Sequence, residues 1–275
     1  MSTFGERLRA AMDERGPLCA GIDPHASLLA RWGLDDDIAG LERFALTSAE
    51  AFGPVAAAIK PQSAFFERFG SRGIAVLERT IEISRQAGAQ VILDVKRGDI
   101  GSTAQGYADA YLDPKAPLAV DAITASPYLG FGSLLPMIET ARRHDTGVFV
   151  LALTSNPEGA ELQASTMRAG ESVAGSILAE LRRLNEGSAM GSFGAVVGAT
   201  IDKHDTSLAI GGPLLVPGIG AQGGTVEDVR RIFEGALDLV LPSSSRELLS
   251  AGPSPSALSD AVRRAATEFR ELVVA

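Results

Sequence analysis

Short apolar runs alternate along this chain with longer stretches in which apolar residues recur every third and fourth position. The runs at 18–23, 55–60, 91–96, 122–124, 147–153, 195–199, 214–217 and 237–241 are short, continuous and rich in Val, Ile, Leu and Ala. That pattern predicts strands buried on both faces. The stretches at 73–87, 134–143, 170–184 and 226–234 have helical spacing, and a turn at 251–256 leads into a final amphipathic helix over 257–273. Strand and helix in strict alternation predict a parallel sheet. Eight such units close into an α/β fold of the (β/α)8 TIM barrel type. An open doubly wound sheet would instead carry a G-x-G-x-x-G fingerprint after its first strand, and the chain has none there. No linker rich in Pro, Ser and Gly divides the sequence, so residues 1–275 are expected to form one barrel domain. The longest irregular connection, 154–170, follows the fifth strand and is punctuated by Pro157, Gly159 and Gly170. Loops of that length often serve as lids.

A barrel of this kind works at the carboxyl ends of its strands, and polar residues gather at those positions here. The first strand ends in Asp23, the second in Lys60 and the third in Asp94 and Lys96, while Thr124-Ala125-Ser126-Pro127-Tyr128 follows the fourth. The third strand continues as Asp94-Val95-Lys96-Arg97-Gly98-Asp99-Ile100-Gly101-Ser102-Thr103. Side chains two apart on a strand share a face, so Asp94 and Lys96 are expected side by side. Gly98 allows a turn that returns Asp99 toward the lysine. An ammonium between two acids stays protonated, because each opposite charge favours the charged form. Lys60 would complete an array of alternating sign. The same residues could equally form a structural ion-pair network, and a nearby substrate site is what separates the two readings.

The other side of the barrel offers such a site. Val216-Pro217-Gly218-Ile219-Gly220-Ala221-Gln222-Gly223-Gly224-Thr225 follows the seventh strand, and Pro242-Ser243-Ser244-Ser245-Arg246 follows the eighth. Glycine at that density lets backbone N–H groups approach an anion. Loops seven and eight form the usual phosphate cradle of this architecture, in which Arg246 would clasp phosphate bidentately.

Composition narrows the class. The chain has 275 residues, 45% hydrophobic and 21% charged, which is ordinary for a globular protein. Its formal charge of −9, from 34 acids and 25 bases, excludes a broad basic surface and with it a nucleic-acid binder. No apolar run approaches the roughly 18 residues of a membrane span. The first residues lack the layout of a secretory signal, so a cytoplasmic location and no membrane partner are expected. Cys19, the sole cysteine, lies in an apolar segment and reads as a small buried hydrophobe. His25, His144 and His204 are far apart and show no metal-ligand spacing, so no metal site is expected.

The string DVKRGDIGSTAQGYA at 94–108, with SPYLG at 126–130, TSNPEG at 154–159 and P-G-I-G-A-Q-G-G at 217–224, resembles the orotidine 5'-phosphate decarboxylase family, in particular its bacterial branch found in mycobacteria and relatives. The resemblance covers most of the chain, with Asp23, Lys60, the D-x-K-x-x-D motif, the loop-seven glycines and Arg246 in the family's order. It implies decarboxylation of orotidine 5'-monophosphate (OMP) to UMP without an organic cofactor. Lys96 is then the proton donor to C6 and Asp94 lies beside the substrate carboxylate, while Lys60 and Asp23 approach the ribose. Ser126 contacts the pyrimidine; Gln222, Gly223 and Arg246 contact the phosphate. Asp99, Ile100 and Thr103 are expected to reach a neighbouring subunit's site, which implies a homodimer. Three alternatives stay open at this point. One is a related phosphosugar decarboxylase that needs magnesium, another a phosphosugar isomerase or epimerase, and the third a catalytically silent barrel that only binds nucleotide.

Overall fold

In a computed structural model, residues 2–201, 206–219 and 226–274 of the protein are described. Eight parallel strands close into a barrel: β1 Cys19–Ile22, β2 Ala58–Pro61, β3 Gln90–Arg97, β4 Ala122–Ala125, β5 Gly147–Leu153, β6 Phe193–Val197, β7 Leu214–Pro217 and β8 Val240–Ser244. Each pairs with the next in the chain, and Cys19↔Ser243 with Ala20↔Ser244 joins β8 back to β1. The strands are buried almost throughout, because one face lines the barrel interior and helices cover the other. The fold is the (β/α)8 TIM barrel read from the apolar pattern.

The boundaries moved where another local structure took the apolar residues. Leu237–Leu239 forms a 3-10 turn, so the eighth strand runs 240–244 rather than 237–241. That shift brings Pro242, Ser243 and Ser244 out of the expected loop and into the barrel wall. Residues 55–57 close the preceding helix, with Val55 N–H donating to the Phe52 carbonyl, and β2 begins only where Ala58 pairs with Cys19. β6 runs 193–197 instead of 195–199. The expected helices are present as Gly70–Gln86, Leu135–Arg143, Val173–Leu184, Val226–Ile232 and Pro255–Val274. The connection after β5 contains a short helix, Gly159–Gln163, tied back where Gln163 Oε1 accepts from Thr154 N–H at 2.9 Å.

The amino-terminal helix Phe4–Arg15 closes the lower end of the barrel. Its Phe4 ring meets Phe149 edge-on at 6.0 Å, and a Cβ at Gly147 would lie 2.3 Å from the Phe4 ring. With that end plugged, access to polar groups lies at the carboxyl end.

Candidate active site

The site is built on an irregularity in β3. From Leu93 to Arg97 this strand advances four residues while its neighbour β4 advances two, from Ile123 to Ala125. The surplus residues form a bulge, and Lys96 adopts a left-handed φ of 46°, uncommon for any residue other than glycine. The expected adjacency of Asp94 and Lys96 does arise, with Nζ to Oδ1 at 2.6 Å, but through a bulge rather than regular strand alternation. Beyond the bulge the ladder resumes as Ser126 N–H donates to the Arg97 carbonyl at 2.8 Å. Gly98 is required there for space, since a Cβ on it would lie 2.4 Å from the Ser126 carbonyl oxygen.

Asp94 is the hub. Its Oδ1 accepts from Lys96 Nζ and, at 2.8 Å, from the Thr124 hydroxyl, while Oδ2 accepts from Lys60 Nζ at 3.0 Å. Burial by itself would raise the Asp94 carboxyl, but the two ammonium groups and the hydrogen bonds from Lys96 and Thr124 hold it well below the usual carboxylate range. Burial would likewise depress the Lys60 ammonium, yet Asp94 and Asp23 keep it above the ordinary lysine range. The Lys60 side chain is 9% exposed and the Lys96 side chain 45%, so the two cations on one carboxylate differ in access. Lys60 lies deeper, at the wall of the pocket described next, and Lys96 is the more open of the two.

Across the mouth a pocket is lined by Asp23, His25, Lys60, Pro217, Gly218, Ile219, Ser243, Ser244, Ser245 and Arg246. The two loops predicted to cradle phosphate thus meet the end of β1 and β2. Asp23 Oδ1 and Ser245 Oγ are buried and have no hydrogen-bond partner among the described residues. Buried polar atoms are rarely left so, and these two border the pocket. His25 packs edge-on against Phe65 at 4.4 Å. Burial and the Arg246 guanidinium hold its imidazole below the ordinary histidine range, against the pull of Asp23. Beneath the pocket, burial pushes the Cys19 thiol up to about 12, in keeping with a packing role for that residue.

Several expectations came out differently. Asp99 does not return to Lys96 within the chain: its Oδ1 accepts from Ile100 N–H at 2.8 Å, and no ion pair joins it to the lysine among the described residues. The lysine between two acids is in fact an acid between two lysines. Ile100 and Thr103 point outward at the start of the helix Gly101–Leu112, and Ser126 lies half-buried after β4. Gln222, Gly223 and His204 lie outside the described residues. Two residues of the site had been given no role in it, His25 weighed only as a metal ligand and Thr124 only placed at a strand end. The His25 signal was its place two residues beyond Asp23; that of Thr124 was a polar residue closing an apolar strand. Among the described residues, no group of three or more His, Cys, Asp or Glu is placed to hold a metal ion, and no helix is long and apolar enough to cross a membrane.

Known proteins resemble this chain in sequence and fold. The family model "Orotidine 5'-phosphate decarboxylase / HUMPS family" matches residues 16–260. A Nocardioides sp. protein named orotidine 5'-phosphate decarboxylase is 64% identical over 274 residues, covering 98% of this chain and 100% of that one. A crystal structure from Streptomyces avermitilis is 56% identical with a TM-score of 0.98, covering 100% of this chain and 97% of the other. The OMP decarboxylase of Leishmania donovani is 31% identical, with a TM-score of 0.74 over 99% of this chain and 100% of that one.

Proposed function

Since the chain belongs to the orotidine 5'-phosphate decarboxylase / HUMPS family, we propose that it is a carboxy-lyase that converts OMP to UMP in de novo pyrimidine biosynthesis, with Lys96 as proton donor. The observation that carries this reading is the Lys60–Asp94–Lys96 array at the mouth of the barrel, beside a pocket bearing Arg246 and two unpartnered polar atoms.

Loss of CO₂ breaks the C6–carboxylate bond and leaves the electron pair on C6, where no adjacent π system accepts it. Stabilisation therefore has to be electrostatic, from a charge already aimed at the carbon. Lys96 Nζ, held by Asp94 at 2.6 Å, is such a charge. It then delivers a proton to C6 and regains one from solvent. Asp94 stands where the departing carboxylate lies. Asp23 Oδ1 is suited to accept from a ribose hydroxyl and Lys60 to donate to one. Ser126 meets the pyrimidine. Arg246, with Gln222 and Gly223, takes the phosphate, whose binding energy holds the reacting group in place. The chemistry calls for no cofactor.

The acting unit is a homodimer of one-domain chains, residues 1–275, in which Asp99, Ile100 and Thr103 serve the neighbouring site. Supporting this, Ile100 is 63% exposed and Tyr128 75% exposed, with Leu129 and Leu135 also exposed nearby on the loop and helix after β4. Exposed apolar side chains beside a site suit association with a second chain. The single free, buried Cys19 suits a cytoplasmic protein.

The test follows the absorbance change as OMP becomes UMP, with and without a chelator. Turnover unaffected by the chelator supports the proposal. No turnover of OMP, with chelator-sensitive release of CO₂ from a phosphosugar acid, favours the magnesium-dependent phosphosugar branch, and binding of UMP without release of CO₂ identifies a silent barrel.

A further inference from the structure

We propose that Thr124 is a positioning residue for the reaction: its hydroxyl holds the β3 bulge in the one conformation that presents the Lys96 ammonium from Asp94. Three observations meet on it. Thr124 is 1% exposed and lies on β4 opposite the surplus residues of β3. Its Oγ1 accepts from Lys96 N–H at 2.9 Å and donates to Asp94 Oδ1 at 2.8 Å. The residue it holds, Lys96, has the left-handed φ of 46°.

The bulge carries Lys96 out of the β3–β4 ladder, so its amide lacks the backbone carbonyl that a regular strand would supply. A side-chain oxygen replaces that acceptor. The neighbouring carboxylate needs a donor at the same point. A hydroxyl can do both at once, accepting on a lone pair and donating its single proton, whereas a hydrocarbon of the same shape can do neither. Threonine adds a stiff χ1, since its β-branch restricts the rotamer. Strained backbone persists only where its surroundings over-determine it, and here the over-determining groups are the Thr124 hydroxyl on one side and the Asp94–Lys96 ion pair on the other. With the hydroxyl gone, Lys96 can relax to an ordinary conformation, and its ammonium swings away from the line to the substrate. A displacement of that kind penalises the chemical step far more than it penalises binding of a nucleotide anchored by its phosphate.

The inference rests on the decarboxylase reading, and the experiment keeps the two apart. Thr124→Val preserves shape and removes the hydroxyl, and Thr124→Ser preserves the hydroxyl and removes the methyl. Each is compared with wild type after circular dichroism and a thermal midpoint establish the folded fraction. For Thr124→Val, kcat per folded site on OMP is expected to fall about 100-fold, with the Kd for UMP within threefold of wild type. For Thr124→Ser, kcat should stay within about fivefold. A role confined to stability would lower the thermal midpoint and leave kcat per folded site unchanged in both variants, overturning the proposal. The second readout needs no turnover: hydrogen exchange at the Lys96 backbone amide should quicken at least tenfold in Thr124→Val and not in Thr124→Ser. Equal protection in all three proteins overturns the clamp. Wild type inactive on OMP would count against the decarboxylase reading, while amide exchange still decides whether the clamp exists.

Discussion

Two carboxylates at opposite ends of this barrel each sit between two cations, and each residue is 7% exposed. At the lower end Asp121 meets Arg7 at 3.3 Å and Arg85 at 3.8 Å, and accepts from Val91 N–H at 2.9 Å. At the mouth Asp94 meets Lys60 and Lys96 and accepts from Thr124. Charge pairing alone does not tell them apart. The differences lie around them. Arg7 also donates to the Gln90 side chain and the Asp145 carbonyl, so its guanidinium is spent on holding the amino-terminal helix to the barrel. Among the described residues Lys96 has one partner for its ammonium, and it has a left-handed backbone and an exposed flank. Among the described residues, Asp23 Oδ1 and Ser245 Oγ, which line the pocket with Lys60, have no hydrogen-bond partner. At the lower end the buried Thr146 Oγ1 also lacks a partner among the described residues, so orphan atoms do not separate the two ends; the left-handed backbone and open flank of Lys96 do.

The sharpest way to break this comparison is to remove one cation at the mouth. Lys96→Ala should lower OMP decarboxylation at least about 1,000-fold, because a preorganised charge at the developing carbanion is lost, while Lys60 still neutralises Asp94 and the fold survives. A spectrophotometric assay that found appreciable turnover would remove Lys96 from the chemistry. Mixing that variant with an inactive Asp99→Ala chain extends the test to the dimer: one site of each heterodimer would carry both lesions and the other neither. Activity should return to about half the wild-type rate per heterodimer, by two-fold symmetry. If subunit exchange is confirmed and no activity appears, Asp99 acts in its own chain.

The opposite change belongs at the lower end. Asp121→Ala leaves the Val91 amide without its acceptor and two guanidinium groups without their counter-ion, and should cost about 3 kcal/mol of unfolding free energy in urea. Its kcat per folded site should match wild type, and a fall in kcat would mean that the two ends are coupled. Arg246→Ala should weaken UMP by about 2 kcal/mol, the worth of a charge-assisted hydrogen bond, and uridine far less, by calorimetry. Equal weakening of the two would place Arg246 outside the phosphate site.

The smallest effect is on pH dependence. Asp94 is held well below its unfolded value of about 3.9. A depressed carboxylate contributes stability that is present above the unfolded value and is lost as pH falls toward the folded one. Wild-type stability should therefore drop more steeply than that of Asp94→Asn below about pH 4, by up to about 1.4 kcal/mol per pH unit. Parallel curves between pH 6 and 3 would show that Asp94 is not the group being titrated.

The barrel and the ring of polar residues at its mouth were legible along the chain, because both depend on local order. A short apolar run has one buried solution between two amphipathic helices, and the residue that ends a strand is at its carboxyl end whatever the neighbours do. Asp23, Lys60, Asp94, Lys96 and Arg246 were legible for that reason. Register was not. Whether 237–239 opens a strand or a 3-10 turn depends on where β7 pairs, and that choice moved Ser243 and Ser244 into the wall. The bulge in β3 exists only against β4, so the left-handed Lys96 and the role of Thr124 were hidden from any reading of one segment. The same holds for Asp99, whose turn could be read either toward its own lysine or away from it. Periodicity is a property of neighbours in sequence, whereas strand register and the partners of a buried charge are set by residues far along the chain. Tertiary structure alone decided which carboxylate holds two lysines.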